Sequence, residues 1–421
     1  MPTDRMIEVP GSVQDESLQV LAPGPAFRRT GRAGGSRPAW ARWNCVPERR
    51  YTVGVEEEVM LLDPSDQSLT QSGERVLGRL SNELSAHTSP ETHAAVIELN
   101  TGIHADVAGA VAELTALRAE LARELRTMGL AVASAGTYPL ASSGETRVSG
   151  AARYRAVVDS MRALARREPT MALHVHVGVP DPEDATRLLN GLREVVPVLL
   201  ALSANSPFCQ RRDSGFASSR TMIFRGFPRT GTARWFADYA DYVAAVDPLI
   251  ASGALPDPSF LWWDVRLQPA LGTVETRVMD AQSTVADSAA LIALVQSLAR
   301  LVLEGEWPER GTSPEVLAEN CFLAARDGLD AQLIDPVNRQ LVPARAVVDA
   351  LLANCRAHGA ALGCSGELDQ IRRLATANGA DRQRVWVDDA GGLRSLVSTL
   401  SRRFAAPSWR AAVGEPDRAT A

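Results

Sequence analysis

The stretch GVEEEVMLLD, residues 54–63, sets three consecutive glutamates inside a run that otherwise reads as a buried strand. Carboxylates are rarely buried without a partner, so cations must lie close to Glu56, Glu57 and Glu58. Side chains alternate faces along a strand with a period of two. Val53, Val55, Val59 and Leu61 share one face, with Glu57 the exception among them, while Glu56 and Glu58 point the other way, ~7 Å apart.

Three further runs repeat this pattern. In residues 171–179, Leu173, Val175, Val177 and Val179 oppose His174, His176 and Gly178. In residues 94–102, Ile97 and Leu99 oppose Glu98 and Asn100; in residues 272–280, Val274 and Val278 oppose Glu275 and Arg277. An ordinary wet sheet face carries Thr, Ser, Lys and Gln. This one gathers four glutamates, two histidines and an arginine, and like charges opposite one another destabilise a sheet. A divalent cation resolves the conflict. A carboxylate-dominated set with an imidazole suits Mg²⁺ or Mn²⁺, whereas zinc prefers Cys and His. An Arg two residues after a Glu on the same face adds a guanidinium for phosphate or carboxylate. Metal and Arg around phosphate oxygens are the equipment of phosphoryl transfer.

The rest of the chain bounds this reading. With 421 residues, 45% hydrophobic content and a net charge of −6, it is expected to be a soluble globular protein with no global attraction to nucleic acid. The apolar runs read as broken by polar residues well short of a bilayer span. The N-terminus shows no apolar signal segment. Five scattered cysteines without a C-x-x-C suit a reducing cytoplasm. No lysine occurs, so all 44 basic positions are Arg, which excludes a Walker lysine and a Schiff base. Residues 1–50, rich in Pro, Gly and Arg, read as a disordered basic arm, and residues 407–421 as a disordered tail. Between them a single α+β domain is expected over 51–406. Its strands fall at 51–62, 94–101, 171–179 and 272–280, and its helices at 106–128, 184–205 and 287–305.

The segments GVEEEVMLLD, IELNTG, LHVHVGVPD, LSANSPF, RRDSGFASSR, WWDVRLQP, GTVETRV and AENCFLAARDGLDA, in this order, resemble the bacterial type-2 glutamate–cysteine ligases, or carboxylate–amine ligases. The likeness covers roughly residues 50–335. It implies a glutamine-synthetase-like catalytic fold: a curved, mainly antiparallel sheet forming a funnel and backed by helices. It also implies ATP- and Mg²⁺-dependent amide formation through an acyl phosphate, joining the γ-carboxylate of glutamate to cysteine or a related amine. By motif, Glu56, Glu58, Glu98, His176 and Glu275 are implied as metal ligands and Arg277 as the phosphate-binding Arg, with Arg277 and Glu58 expected to carry the chemistry. The face analysis selects the same positions.

Other residues are open to two readings. His174 shares the polar face and suits nucleotide or substrate. Arg153 and Tyr154 suit nucleotide or surface anchoring, and Arg212, Asp213, Ser218 and Arg220 form a candidate clamp on a Gly-containing loop. Trp262 and Trp263 read as packing before adenine stacking; Asn320 and Arg326 match the family but equally suit a helix cap and a surface Arg. Arg211 and Phe216 in QRRDSGF replace a Gly and a Tyr usual in the family, and Leu267 and Gln268 replace a Pro-containing pair, which bears on substrate identity. Two rival functions are a zinc metallohydrolase built on His174 and His176, and a non-catalytic nucleotide or amino-acid binder. A homo-oligomer is compatible with the sequence. Glu57 is left without a named partner, and an Arg on a packing helix is the expected one.

Overall fold

Strand β1, Val53–Leu62, organises the computed structural model, which describes residues 37–141, 146–150, 152–307, 311–404 and 406. The other strands of its sheet are β2 (Thr88–Pro90), β3 (Val96–Asn100), β4 (Ala131–Ala133), β5 (Ala172–Gly178), β6 (Val265–Gln268) and β7 (Thr273–Asp280). Their order is β6–β7–β5–β1–β3–β2, with β4 beside the C-terminal end of β1, and every pairing is antiparallel. The four strands expected from alternation are present; β2, β4 and β6 are additions. β6 repeats the pattern on a short scale, with Val265 and Leu267 against Arg266 and Gln268.

The apolar face is covered by helices whose starts are written in the sequence. Helix α1 (Val107–Thr127) is capped by Asp106, whose carboxylate accepts from Gly109 N at 2.8 Å. The others named here are α2 (Ala152–Met161), α3 (Pro182–Ser203), α4 (Ser219–Phe224), α5 (Val285–Leu303), α6 (Pro314–Asp327) and α7 (Leu393–Phe404). Asp181 caps α3 ahead of Pro182, and Thr284 caps α5. Val53, Val55, Leu173, Val175 and Val177 join α3 and α5 in the main core. Val59, Leu61, Ile97 and Leu99 pack on Leu117, Leu121 and Leu125 of α1. On the opposite face of β1 the polar character ends at Glu58. Met60 and Leu62 follow and are covered by Leu396, Val397 and Leu400 of α7.

Two expectations change. The described residues from Ala39 onward form one compact unit, so the expected arm does not extend to residue 50. Trp40 donates to Asp247 at 2.9 Å and packs edge-on against Tyr242, while Trp43 donates to the Val179 carbonyl at 2.7 Å. Buried aromatic area, invisible in a Pro/Gly/Arg-rich composition, holds this segment. Residues 1–36 of the arm and 407–421 of the tail lie outside the described residues. The second change concerns apolar length: α5 is a 19-residue helix with mean hydropathy 1.6, long and apolar enough to cross a membrane by composition, but 94% of that window is buried inside the fold. Its all-round apolarity belongs to a helix enclosed on every side.

Candidate active site

Strand register builds the site. Glu56 of β1 stands opposite His174 of β5 and Asn100 of β3; Glu58 stands opposite Glu98; Glu275 of β7 stands opposite His176 of β5 and Arg266 of β6. A period of two then delivers all these side chains to one face. Glu56 sits between the imidazoles, with Oε2 3.0 Å from His174 Nδ1 and Oε1 3.1 Å from His176 Nε2. His176 Nδ1 meets Thr273 Oγ1 at 3.0 Å. Glu275 receives Arg266 Nε at 2.9 Å, Gln268 Nε2 at 2.7 Å and Arg277 Nη1.

Beyond Thr276 the pairing of β7 with β5 shifts register at a bulge, and two residues, Arg277 and Val278, stand where β5 supplies one. Arg220, on α4, braces this bulge by donating to the Val278 carbonyl at 3.0 Å and the Arg277 carbonyl at 3.1 Å. Nε of Arg220 and Nε of Arg277 are buried without a hydrogen-bond partner.

Two acidic groupings result, each with ligand atoms within 4.8 Å of one another: Glu56, His176 and Glu275, and Glu58, Glu91 and Glu98. His174 forms a third with Glu56 and Glu98, and its Nε2 is buried without a partner. Burial, followed by the charge of Glu91, pushes Glu58 up to about 8. Glu98 is raised well above the carboxylate range by burial and by Glu56, Glu91 and Glu58. Glu275 is held low, because Arg266, Arg277 and His176 outweigh its burial. Burial and the Arg277 charge push His174 down to about 4, whereas His176 is raised because Glu56 and Glu275 outweigh burial. One end of the cluster is thus charge-compensated by guanidinium groups, while at the Glu58–Glu91–Glu98 end burial and mutual repulsion favour protonated carboxyls. A divalent ion such as Mg²⁺, bound by these hard oxygen donors, would take the place of those protons.

A cavity of about 520 Å³ opens over this face, and a second of about 160 Å³, with Ile103 and Leu271 at its lip, shares Glu56 with it and is lined by His176. Of the residues expected from sequence, Glu56, Glu58, Glu98, His174, Arg220, Arg277 and Tyr154 line the larger cavity. Tyr154 donates its hydroxyl to the Pro90 carbonyl, and the Arg153 side chain lies outside the described residues.

The proposed clamp loop is corrected: Arg212 is exposed, Asp213 pairs with Arg384 at 2.9 Å, and Ser218 caps α4 while donating to Asp280 at 2.9 Å. Only Arg220 of that group reaches the cavity. Trp263 packs on Phe236, but Trp262 lines the cavity with Arg229 stacked 5.0 Å from its ring centroid. Asn320 is no cap; from within α6 it brackets Ile334, donating to its carbonyl at 2.9 Å and accepting its N–H at 2.7 Å. Arg326 is a surface Arg paired with Asp327. Arg211 occupies a tight turn with φ 64°, a position suited to the glycine it replaces.

Two members of the site were not read from sequence. Glu91 follows β2 in a connection without periodicity. Arg266 sits on a four-residue strand whose alternation is the one signal that could have found it.

A family model described as glutamate–cysteine ligase family 2 matches residues 52–399. A protein of Rubrobacter xylanophilus, provisionally named glutamate–cysteine ligase 2-1, is 39% identical over 352 residues, covering 83% of this chain and 94% of that protein. A provisionally named glutamate–cysteine ligase 2 of Gloeobacter violaceus is 37% identical over 361 residues, covering 84% and 97%. In fold the chain is similar to the glutamate–cysteine ligase of Francisella tularensis, solved in complex with AMP, with TM-score 0.63, 12% identity and coverage of 85% and 89%. A bifunctional glutathione synthetase of Pasteurella multocida gives TM-score 0.63 at 13% identity, covering 84% and 52%. Neither rival reading, a zinc metallohydrolase or a non-catalytic binder, gains support from these similarities. The chain belongs to glutamate–cysteine ligase family 2 and is a carbon–nitrogen ligase of the carboxylate–amine class.

Proposed function

We propose that the protein joins the γ-carboxylate of glutamate to the amino group of cysteine or a related amine, using ATP and Mg²⁺. The observation that carries this reading is the pair of acidic groupings on one sheet face with Arg277 beside them. The AMP complex of the Francisella ligase supports nucleotide as the energy source. Glu56, His176 and Glu275, together with Glu58, Glu91 and Glu98, would hold the metal, and His174 is a further donor. Bound there, Mg²⁺ supplies charge neutralisation for phosphate oxygens.

A carboxylate oxygen of glutamate attacks the γ-phosphorus of ATP, the bond to ADP breaks, and γ-glutamyl phosphate forms. The amine nitrogen then attacks the acyl carbon; the carbon–oxygen bond to phosphate breaks, inorganic phosphate leaves with the electron pair, and the amine proton passes to solvent. Arg277 is suited to the phosphoryl oxygens, since one nitrogen is held by Glu275 and Nε has no hydrogen-bond partner. Arg266 is spent on Glu275 and on the carbonyls of Ser259 and Leu261, so it orients Glu275. The test is ADP release with Mg²⁺, glutamate and a panel of amines, with Glu56→Gln as control. ADP release that is indifferent to added carboxylate and amine would sink this reading.

A further inference from the structure

Each carboxylate of the Glu58–Glu91–Glu98 grouping spends one oxygen on the protein. Oε2 of Glu58 accepts the Ala172 N–H at 2.7 Å, and Oε2 of Glu91 accepts the Thr92 N–H. Oε1 of Glu98 accepts the Ser89 hydroxyl at 2.8 Å. Strand pairing sets up this last contact. Glu98 of β3 stands between Glu58 of β1 and Ser89 of β2, and Asn100, two residues on, shares their face. Asn100 Nδ2 donates to Ser89 Oγ at 2.8 Å, so the serine accepts from one neighbour and gives its single proton to the other. Among the described residues no hydrogen bond engages the second oxygen of Glu58, Glu91 or Glu98, and all three side chains line the large cavity with Ser89. None of the three donors is charged, in contrast to the guanidinium groups on Glu275, so each fixes an oxygen without forming an ion pair.

A carboxylate tied by one oxygen offers a cation only the other. Mg²⁺ demands a compact octahedral shell, which a two-oxygen grip from one carboxylate distorts, whereas the larger Ca²⁺ takes more oxygens and accepts both from one group. We infer that Ser89, fixed by Asn100, is a positioning residue that sets the metal preference of this site. By holding Oε1 of Glu98 it leaves Oε2 as the single ligating atom, and so selects Mg²⁺ or Mn²⁺ over Ca²⁺. This rests on the reading of the acidic grouping as a metal site and names the residue behind its selectivity.

The test follows Mn²⁺ binding to the full chain by electron paramagnetic resonance, with Mg²⁺ or Ca²⁺ as the displacing ion. The Mn²⁺ lost in Glu58→Gln defines the site. Ser89→Ala frees Oε1 of Glu98 and should lower Mg²⁺ affinity about 10–100-fold. Ca²⁺ affinity should fall much less, so the ratio of Mg²⁺ to Ca²⁺ affinity drops. Ser89→Thr keeps the hydroxyl and should keep the wild-type ratio. Asn100→Ala removes the donor that fixes the hydroxyl; it should move the ratio in the same direction, and it carries the test if Ser89→Ala does not fold. Equal losses for both ions, or no loss, overturn the inference while leaving the metal site standing, because a merely structural role would affect both ions alike. Wild-type protein without a Mn²⁺ site sensitive to Glu58→Gln removes the metal reading, and this inference with it.

Discussion

Substituting Glu57 tests whether the three adjacent glutamates have been divided correctly. Glu57 is 0% exposed and Arg118 of α1 is 1% exposed. Arg118 grips the carboxylate with two nitrogens, one bond being Nε to Oε2 at 2.6 Å, and also donates to the Gln282 carbonyl at 2.7 Å. Ser288 of α5 adds a bond to Oε1 at 3.2 Å, and the guanidinium carbon stands 4.7 Å from the Phe404 ring centroid. The pair thus ties β1 to α1, α5 and α7. Removing one partner of such a pair leaves a buried charge unpaired, at a cost of about 3–5 kcal/mol. That is a large part of the roughly 5–15 kcal/mol that holds a typical domain folded. Glu57→Leu and Arg118→Met should each lose that amount in urea denaturation. The double variant, which replaces the pair with apolar side chains matching Val55 and Val59, should recover most of the loss. Specific activity per folded molecule should stay within about twofold in all three. If Glu57→Leu abolishes ADP release while its unfolding midpoint is unchanged, Glu57 belongs to the reaction and the assignment of faces is wrong.

Other outcomes can be checked with the same preparation. Glu275→Gln leaves Arg266 and Arg277 without their carboxylate, and should lower kcat by about two orders of magnitude or more, a typical loss for charge stabilisation in a transition state. Mg²⁺ at 100 times its Kd should stabilise the wild type by about 2.7 kcal/mol in a thermal shift assay, and much less in Glu58→Gln. Gln210 and Arg211 form a two-residue hairpin turn with both φ angles positive, so Arg211→Gly should stabilise by about 0.5–1 kcal/mol in the same assay. Asp287, buried at the start of α5 and paired with Arg373 and Arg382, is held below the usual carboxylate range because those guanidinium groups outweigh its burial. A depressed folded-state value means that this stability is present above the unfolded value of about 4 and lost as pH falls through the folded one. The melting difference between wild type and Asp287→Asn should therefore shrink on acidification.

Much of the site was legible because its residues lie on strands. Alternation alone put Glu56, Glu58, Glu98, His174, His176, Glu275 and Arg277 on one face, and placed Glu57 on the other, where an Arg from a packing helix was expected. The misses have physical causes of their own. Glu91 arrives on a connection, where no period links position to direction. The clamp loop misled because Arg and Asp near a Gly look alike whether they face a cavity or pair with Arg384. Trp40 and Trp43 were assigned to an arm because local composition does not report packing against Tyr239 and Tyr242.

Local chemistry along the chain thus determined the strand faces, the helix caps and the identity of the charged set, since each depends on neighbours one to four residues away. Tertiary structure decided which strands lie side by side, and hence that Glu56 meets both imidazoles, that Arg266 joins Glu275, and that Glu57 meets Arg118 61 positions along. Those meetings depend on register and long-range packing, where residues far apart in sequence are brought within hydrogen-bond reach only after the core has formed.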